Sequence, residues 1–297
     1  MTYRTELRKR MLALHVLCAG VLMIVLDTTI VNVALPSIRE DLRFTETSLV
    51  WVVNAYMLTF GGFLLLGGRL GDLYGHRRLF LIGLSVFTLA SVACGLSTSQ
   101  GVLVAARAVQ GVGGAIVDAV ALSLIVDLFR DPEERAKAMG IYGFVCAAGG
   151  SIGVLLGGLL TTLSWHWIFL VNLPIGLAVY AACRRLLPDV HIEARAASLD
   201  VGGAVTITAS LLLAVYAVVN GNEAGWSSTQ TVGLLGASSV LFAVFLAIEA
   251  QVAHPLVPLR LFRLRNLATA SVVGTLWAAA MFAWFFISAL YLQLVLG

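Results

Sequence analysis

The sequence predicts an all-α polytopic membrane protein, and three observations carry that prediction. Of its 297 residues 60% are hydrophobic. Only 12% are charged, against about 25% in a soluble domain. The apolar residues also come in runs of about 20, the length that crosses about 30 Å of hydrocarbon. Such a composition excludes a disordered chain, a soluble enzyme and a nucleic-acid-binding protein. Cys18, Cys94, Cys146 and Cys183 lie in apolar stretches without CxxC spacing. They read as small packing residues, with no disulfide or metal site indicated.

Nine candidate spans follow in order: Leu12–Pro36, Ser48–Gly68, Leu79–Leu96, Val102–Leu128, Ala136–Leu163, Trp167–Leu187, Val201–Val219, Thr231–Ala250 and Leu267–Leu296. The first has basic residues ahead of it, as a signal peptide does. It is too long for one and is interrupted by Asp27 without a small-residue cleavage site. The loops supply an independent test. With a cytoplasmic N-terminus, sixteen Lys and Arg fall on the inside, in five groups beginning at Arg4, Arg69, Arg130, Arg184 and Arg260. Only Arg39 and Arg43 fall outside, so the positive-inside rule holds at every alternation. The expected setting is a multi-pass protein of the cell (plasma or inner) membrane, with Ser97–Gly101 and Gly297 outside.

Charges inside spans cost roughly 2.5–3.5 kcal/mol each on insertion scales, and they mark pathways or internal pairs. Asp27, Arg107 and Asp118 are such charges. At about 1.5 Å per residue, Asp27 lies about 22 Å from the cytoplasmic start of its span and Arg107 about 8 Å from the opposite face. In a core of about 30 Å these depths coincide, so the two groups can pair. Gln110, Gly111, Gly114 and Asp118 follow Arg107 near one stripe of the fourth span, which reads as a cavity wall. Asp118 is either part of that wall or an interfacial carboxylate in water, and Asp127 reads as solvated. The fifth span carries glycines at 149, 153 and 157, a small-xxx-small ridge for close helix approach, followed by Gly158. After the second span, Gly68, Gly75 and their neighbours read as a tight turn, with Asp72 ahead of a basic cluster at Arg77 and Arg78. Trp165, His166 and Trp167 fit an aromatic belt. No GxxxxGK[ST] run or HExxH pair occurs, which argues against direct ATP drive and against a membrane-embedded enzyme.

Taken together, these motifs resemble the major facilitator superfamily, and within it the fourteen-span drug:proton antiporters. Leu26–Pro36 (LDTTIVNVALP), with Asn32 inside it, looks like that group's first-span signature. Gly68–Arg78 (GRLGDLYGHRR) is similar to the superfamily's loop 2–3 motif, with Asp72 and Gly75 in place and Leu73 and His76 where arginines are common. Arg107–Gly113 (RAVQGVG) matches the fourth-span motif linked to proton coupling. Gly153–Gly158 (GVLLGG) looks like the antiporter motif, with Val154 where proline is usual. Trp165–Gly176 and Pro255–Phe262 (PLVPLRLF) also fit.

The resemblance implies export of hydrophobic or cationic drug-like compounds in exchange for protons, by alternating access, without a cofactor beyond the proton gradient. It implies a six-helix bundle over residues 1–187, a cytoplasmic linker at 188–200, two additional spans at 201–250, and the start of a second bundle at 251–297. Asp27 is then the reversible proton carrier, and Arg107 the fixed cation that moves toward or away from it. Asn32, Gln110 and Asp118 line the substrate cavity, while Gly68, Asp72, Gly75, Arg77 and Arg78 form the conformational gate. A fourteen-span member needs about five more spans. The alternative reading is therefore a C-terminally truncated fragment, or a half-transporter scaffold that needs a second chain, with the fifth-span glycine ridge facing lipid or that partner.

Overall fold

The computed structural model describes residues 2–187, 200–252 and 255–294. Among the described residues there are ten α-helices, one 3-10 turn and no strand. The helices are α1 (Thr2–Leu42), α2 (Glu46–Tyr74), α3 (His76–Gly95), α4 (Gln100–Leu128) and α5 (Pro132–Leu163). They continue as α6 (Trp167–Leu170), α7 (Asn172–Leu186), α8 (Val201–Ala224), α9 (Thr229–Glu249) and α10 (Arg265–Leu294), the last preceded by the 3-10 turn Leu259–Arg263. Among the described residues, eight spans, counting Trp167–Leu186 as one, are long and apolar enough to cross a bilayer. The expected linker lies outside the described residues except for Asp200, and so does the end at Gly297.

The starts of the helices follow local chemistry. Thr45 and Ser48 form a capping box at α2. Ser99 caps α4, Ser228 caps α9, and Asp131 caps α5 with Pro132 in the first turn. Asp200 caps α8 through a 2.8 Å bond from Gly203 N.

Three boundaries differ from the sequence reading. Helix α1 runs past Pro36 to Leu42, because one proline removes one backbone donor from a 41-residue helix that is held by buried Ala34 and Ile38 on either side of it. The stretch read as a glycine turn after the second span is still helical through Tyr74, and the chain reverses only at Gly75, whose φ of 96° suits glycine. The earlier glycines serve contact instead: a Cβ on Gly67 would lie 3.1 Å from Ile116 Cα in α4. The sixth span is broken at Val171 into α6 and α7.

Helix α4 packs against both α2 and α3, α1 packs against α5 and α7, and α7 also lies on α3. The glycine ridge of α5 meets α1 of this same bundle, not lipid or a partner: added Cβ atoms at Gly149 and Gly157 would fall 2.9 Å from Val25 Cγ1 and 3.0 Å from Ile30 O. Gly158 is off that ridge, with nothing within 4 Å. Helices α8 and α9 form a hairpin in which Ser210 and Ser238 each donate to the other's carbonyl at 2.9 Å. The hairpin docks on α2, where Thr208 Oγ1 donates to Gly62 O at 3.0 Å.

The interior divides into two apolar clusters stacked along the bundle. One holds Leu14, Leu17, Met23, Phe80, Phe87, Ile125 and Phe129. The other holds Ile30, Val31, Ile38, Val52, Leu103, Trp165 and Phe169. On α1 the gap between them falls at Asp27, and on α4 at Arg107 to Gln110.

Candidate functional site

Burying a carboxylate and a guanidinium between two apolar clusters costs several kcal/mol per ion unless each finds good partners. Asp27 and Arg107 are 0% and 1% exposed, and they find each other. Arg107 Nη1 donates to Asp27 Oδ2 at 2.5 Å and to Gln110 Oε1 at 2.8 Å. Arg107 Nε donates to the carbonyl of Val52 in α2 at 2.9 Å. The other carboxylate oxygen, Asp27 Oδ1, accepts from Gln110 Nε2 at 2.7 Å and from Asn172 Nδ2 at 3.4 Å. The guanidinium lies over the Tyr56 ring, 4.3 Å from its centroid, with Phe169 at 5.7 Å. Through Asn172 Nδ2 the network reaches Ser91 Oγ at 2.9 Å, and Ser91 donates to Phe169 O at 2.9 Å. One polar cluster thus ties α1, α2, α3, α4, α6 and α7 at a single level.

Asp27 and Arg107 pair as their equal depths allowed, while Gln110, expected on a cavity wall, instead bonds both of them in the buried cluster. The depth argument missed Asn172, Ser91 and the aromatic cover of Tyr56 and Phe169. Asn172 was within reach, since an amide inside an otherwise apolar span invites the same question as Asp27. Tyr56 and Phe169 carry no such signal, because aromatics are common throughout these spans.

The other expected site residues lie apart. Asp118 is half-buried and accepts a 3.3 Å bond from Tyr142 Oη of α5, so it is neither in the central cluster nor simply solvated. Asn32 is exposed, and its Nδ2 donates to Thr28 O at 3.1 Å. Gly111 and Gly114 form no cavity wall; both are buried against α2, and a Cβ on Gly114 would sit 2.9 Å from Tyr56 Oη. At the aromatic stretch, Trp165 is buried and donates to Asp41 Oδ2 at 2.9 Å, while His166 stacks on Trp165 and bonds Ser164. Gly149, Ser151 and Gly153 have the GxSxG spacing of a hydrolase nucleophile turn. They lie inside the continuous helix α5 with no strand before them, so the spacing carries no such chemistry.

At the end of the bundle where the chain begins, Asp72 pairs with His76 rather than with the basic residues after it. His76 Nε2 is 3.1 Å from Asp72 Oδ1, and Nδ1 is 3.1 Å from Asp127 Oδ2. Asp127 is therefore solvated, as expected, but also partnered. A neutral imidazole has one N–H, so both bonds form together only when the ring is an imidazolium. His76 then clamps the end of α2 to the end of α4. His76→Leu should leave two carboxylates facing each other and loosen this corner by up to about 1 kcal/mol, since both acids are largely exposed. Limited proteolysis at the α2–α3 turn should quicken in that variant and return to normal in His76→Arg. Equal cleavage of all three proteins would remove the clamp.

Similarity to known proteins bears on what such a bundle does. The sequence profile of the Major Facilitator Superfamily matches residues 17–297. The puromycin resistance protein pur8 of Streptomyces alboniger is 41% identical over 97% of this chain and 57% of its own length. The cephamycin export protein CmcT of Amycolatopsis lactamdurans is 42% identical over 96% of this chain and 59% of its own length. The chain thus spans somewhat more than half the length of these relatives. The crystal structure of the human organic anion transporter MFSD10 superposes with a TM-score of 0.55 at 20% identity, covering 69% of this chain and 55% of that one, a likeness of fold.

Proposed function

The chain belongs to the major facilitator superfamily, a family of multi-pass membrane transporters rather than enzymes, and from that premise we propose that it forms the proton-coupling bundle of a drug exporter. The substrates are hydrophobic or cationic drug-like compounds, exchanged for protons by alternating access of two bundles about a midplane site. Relatives named for puromycin, cephamycin and tetracenomycin C support the export of antibiotics as a class.

The observation that carries the proton reading is the buried Asp27–Arg107 pair. Arginine stays charged under all ordinary conditions, so any proton taken up here resides on the carboxylate. Protonating Asp27 would cancel its attraction for Arg107 and leave the guanidinium to Val52 O, Gln110 Oε1 and the Tyr56 ring. The proton and the helix contacts are thereby coupled. Under this reading the N-terminus and the Arg77 loop are cytoplasmic, in line with the distribution of basic residues.

The test is efflux in vesicles from a transporter that contains this bundle, with an imposed and then collapsed pH gradient. Efflux should follow the gradient, and Asp27→Asn should abolish the gradient-driven part while substrate binding stays measurable. Full gradient-driven flux with Asp27→Asn would remove Asp27 as the proton carrier.

A further inference from the structure

The end of the bundle where the chain begins holds a cavity of about 920 Å³ whose wall includes Gly75, Arg77 and Arg78 of the expected gate but to which no ligand has been assigned above. Its walls come from four segments distant in sequence. Lys9 and Arg10 belong to α1, Arg77 and Arg78 to the first turn of α3, Arg130 to the turn after α4, and Arg185 to the end of α7. The carboxylates in the same wall are Glu6 and Asp127, with Asp127 engaged by His76, while Arg10 is paired with Glu134 and Arg77 donates to Arg184 O. A topological bias needs basic residues only on one side of the membrane. It does not need them gathered round one hollow.

Three further observations concern what the hollow fits. Among the described residues, Lys9, Arg78, Arg130 and Arg185 have no carboxylate within 4 Å. Arg10 is held in place, with Nη1 donating to Glu134 Oε2 at 2.9 Å, yet its buried Nε has no hydrogen-bond acceptor. Helix α3 also begins in this wall. Gly75 at its start offers no side-chain cap, and the first helical bond runs from Leu79 N to Gly75 O. The amides of His76, Arg77 and Arg78 thus precede the helix's own bonding, and such a terminus favours an anion. A Cβ on Gly75 would meet nothing within 4 Å, so the terminus is open.

We propose that this cavity binds a phosphate group, with the guanidiniums and the α3 terminus as its donors. Two sources share that chemistry: the headgroup of an anionic phospholipid and a free phosphate anion. Basic pockets between helices at a membrane surface suit the first. The site ties α1, α3, α4 and α7 together at one end, so an occupant would stiffen the corner that His76 clamps.

The experiment uses the purified chain in phosphate-free detergent. Binding of phosphatidylglycerol, of inorganic phosphate and of diacylglycerol is measured by native mass spectrometry and thermal shift. Phosphatidylglycerol should bind well above diacylglycerol, and Lys9→Ala/Arg130→Ala/Arg185→Ala should weaken it at least about tenfold. Inorganic phosphate that binds alone and competes with the lipid would identify the site as one for phosphate generally. Lipid binding that phosphate does not displace would assign it to headgroups. Arg185→Glu serves if the triple variant does not fold, and should act in the same direction. A control, Arg8→Ala/Arg263→Ala/Arg265→Ala, removes three charges that do not line the cavity. The proposal is overturned if neither phosphate compound outbinds diacylglycerol, if the cavity variants bind as the parent does, or if the control loses as much.

Discussion

Arg107→Ala should destabilise the bundle by about 3–5 kcal/mol, the range for removing one partner of a buried ion pair. The reason lies in what remains behind. Asp27, 0% exposed, would keep its amide donors at Gln110 and Asn172 but lose its countercharge. The carbonyl of Val52 would lose the donor that Arg107 Nε supplies, and Tyr56 would border a void where the guanidinium had lain. Removing both charges should hurt less than removing one. Asp27→Asn/Arg107→Gln leaves a neutral, hydrogen-bonding pair and no buried ion, so its midpoint of unfolding in mixed micelles should lie above that of Arg107→Ala. A double variant as unstable as the sum of its two single changes would mean that the charges do not act as a pair.

That pair was legible before any coordinates because charge in a span is expensive and helix rise is fixed. Two depths counted from opposite faces could then be compared. The 100° step likewise puts Asp118 on the stripe of Arg107 about three turns away, but does not say what it meets there, which is Tyr142 of α5. Glycine is ambiguous in a related way. Gly68 and Gly75 look alike in sequence, but one is helical beside Ala119 of α4 and the other turns the chain at a φ of 96°. The α5 ridge announced its own periodicity but not its partner, which proved to be α1. Contacts between segments far apart in sequence were invisible for the same reason, as with Arg10 and Glu134 or Trp165 and Asp41.

The α3–α4 crossing shows what such a hidden contact is worth. A Cβ on Gly113 would lie 2.5 Å from Phe87 N and 2.8 Å from Phe87 Cα, and one on Gly83 would lie 3.1 Å from Gly113 O. These are backbone atoms that no rotamer change can move, so Gly113→Ala must push the two helices apart. The cost should be about 1–3 kcal/mol, as for overpacking generally. Gly150→Ala is the matched control, because it sits in a helix with nothing within 4 Å and should gain up to about 1 kcal/mol in helix propensity. The two substitutions add the same methyl group, so their difference isolates the crossing. Gly113 also lies less than two turns from Arg107 on α4. A displaced α4 should therefore lengthen the Arg107–Asp27 contact and weaken gradient-driven efflux in a transporter containing this bundle, while Gly150→Ala leaves efflux intact. Equal unfolding midpoints for Gly113→Ala and Gly150→Ala would show that α3 and α4 have room to spare, and that the glycines at their crossing are not what holds the charge pair in register.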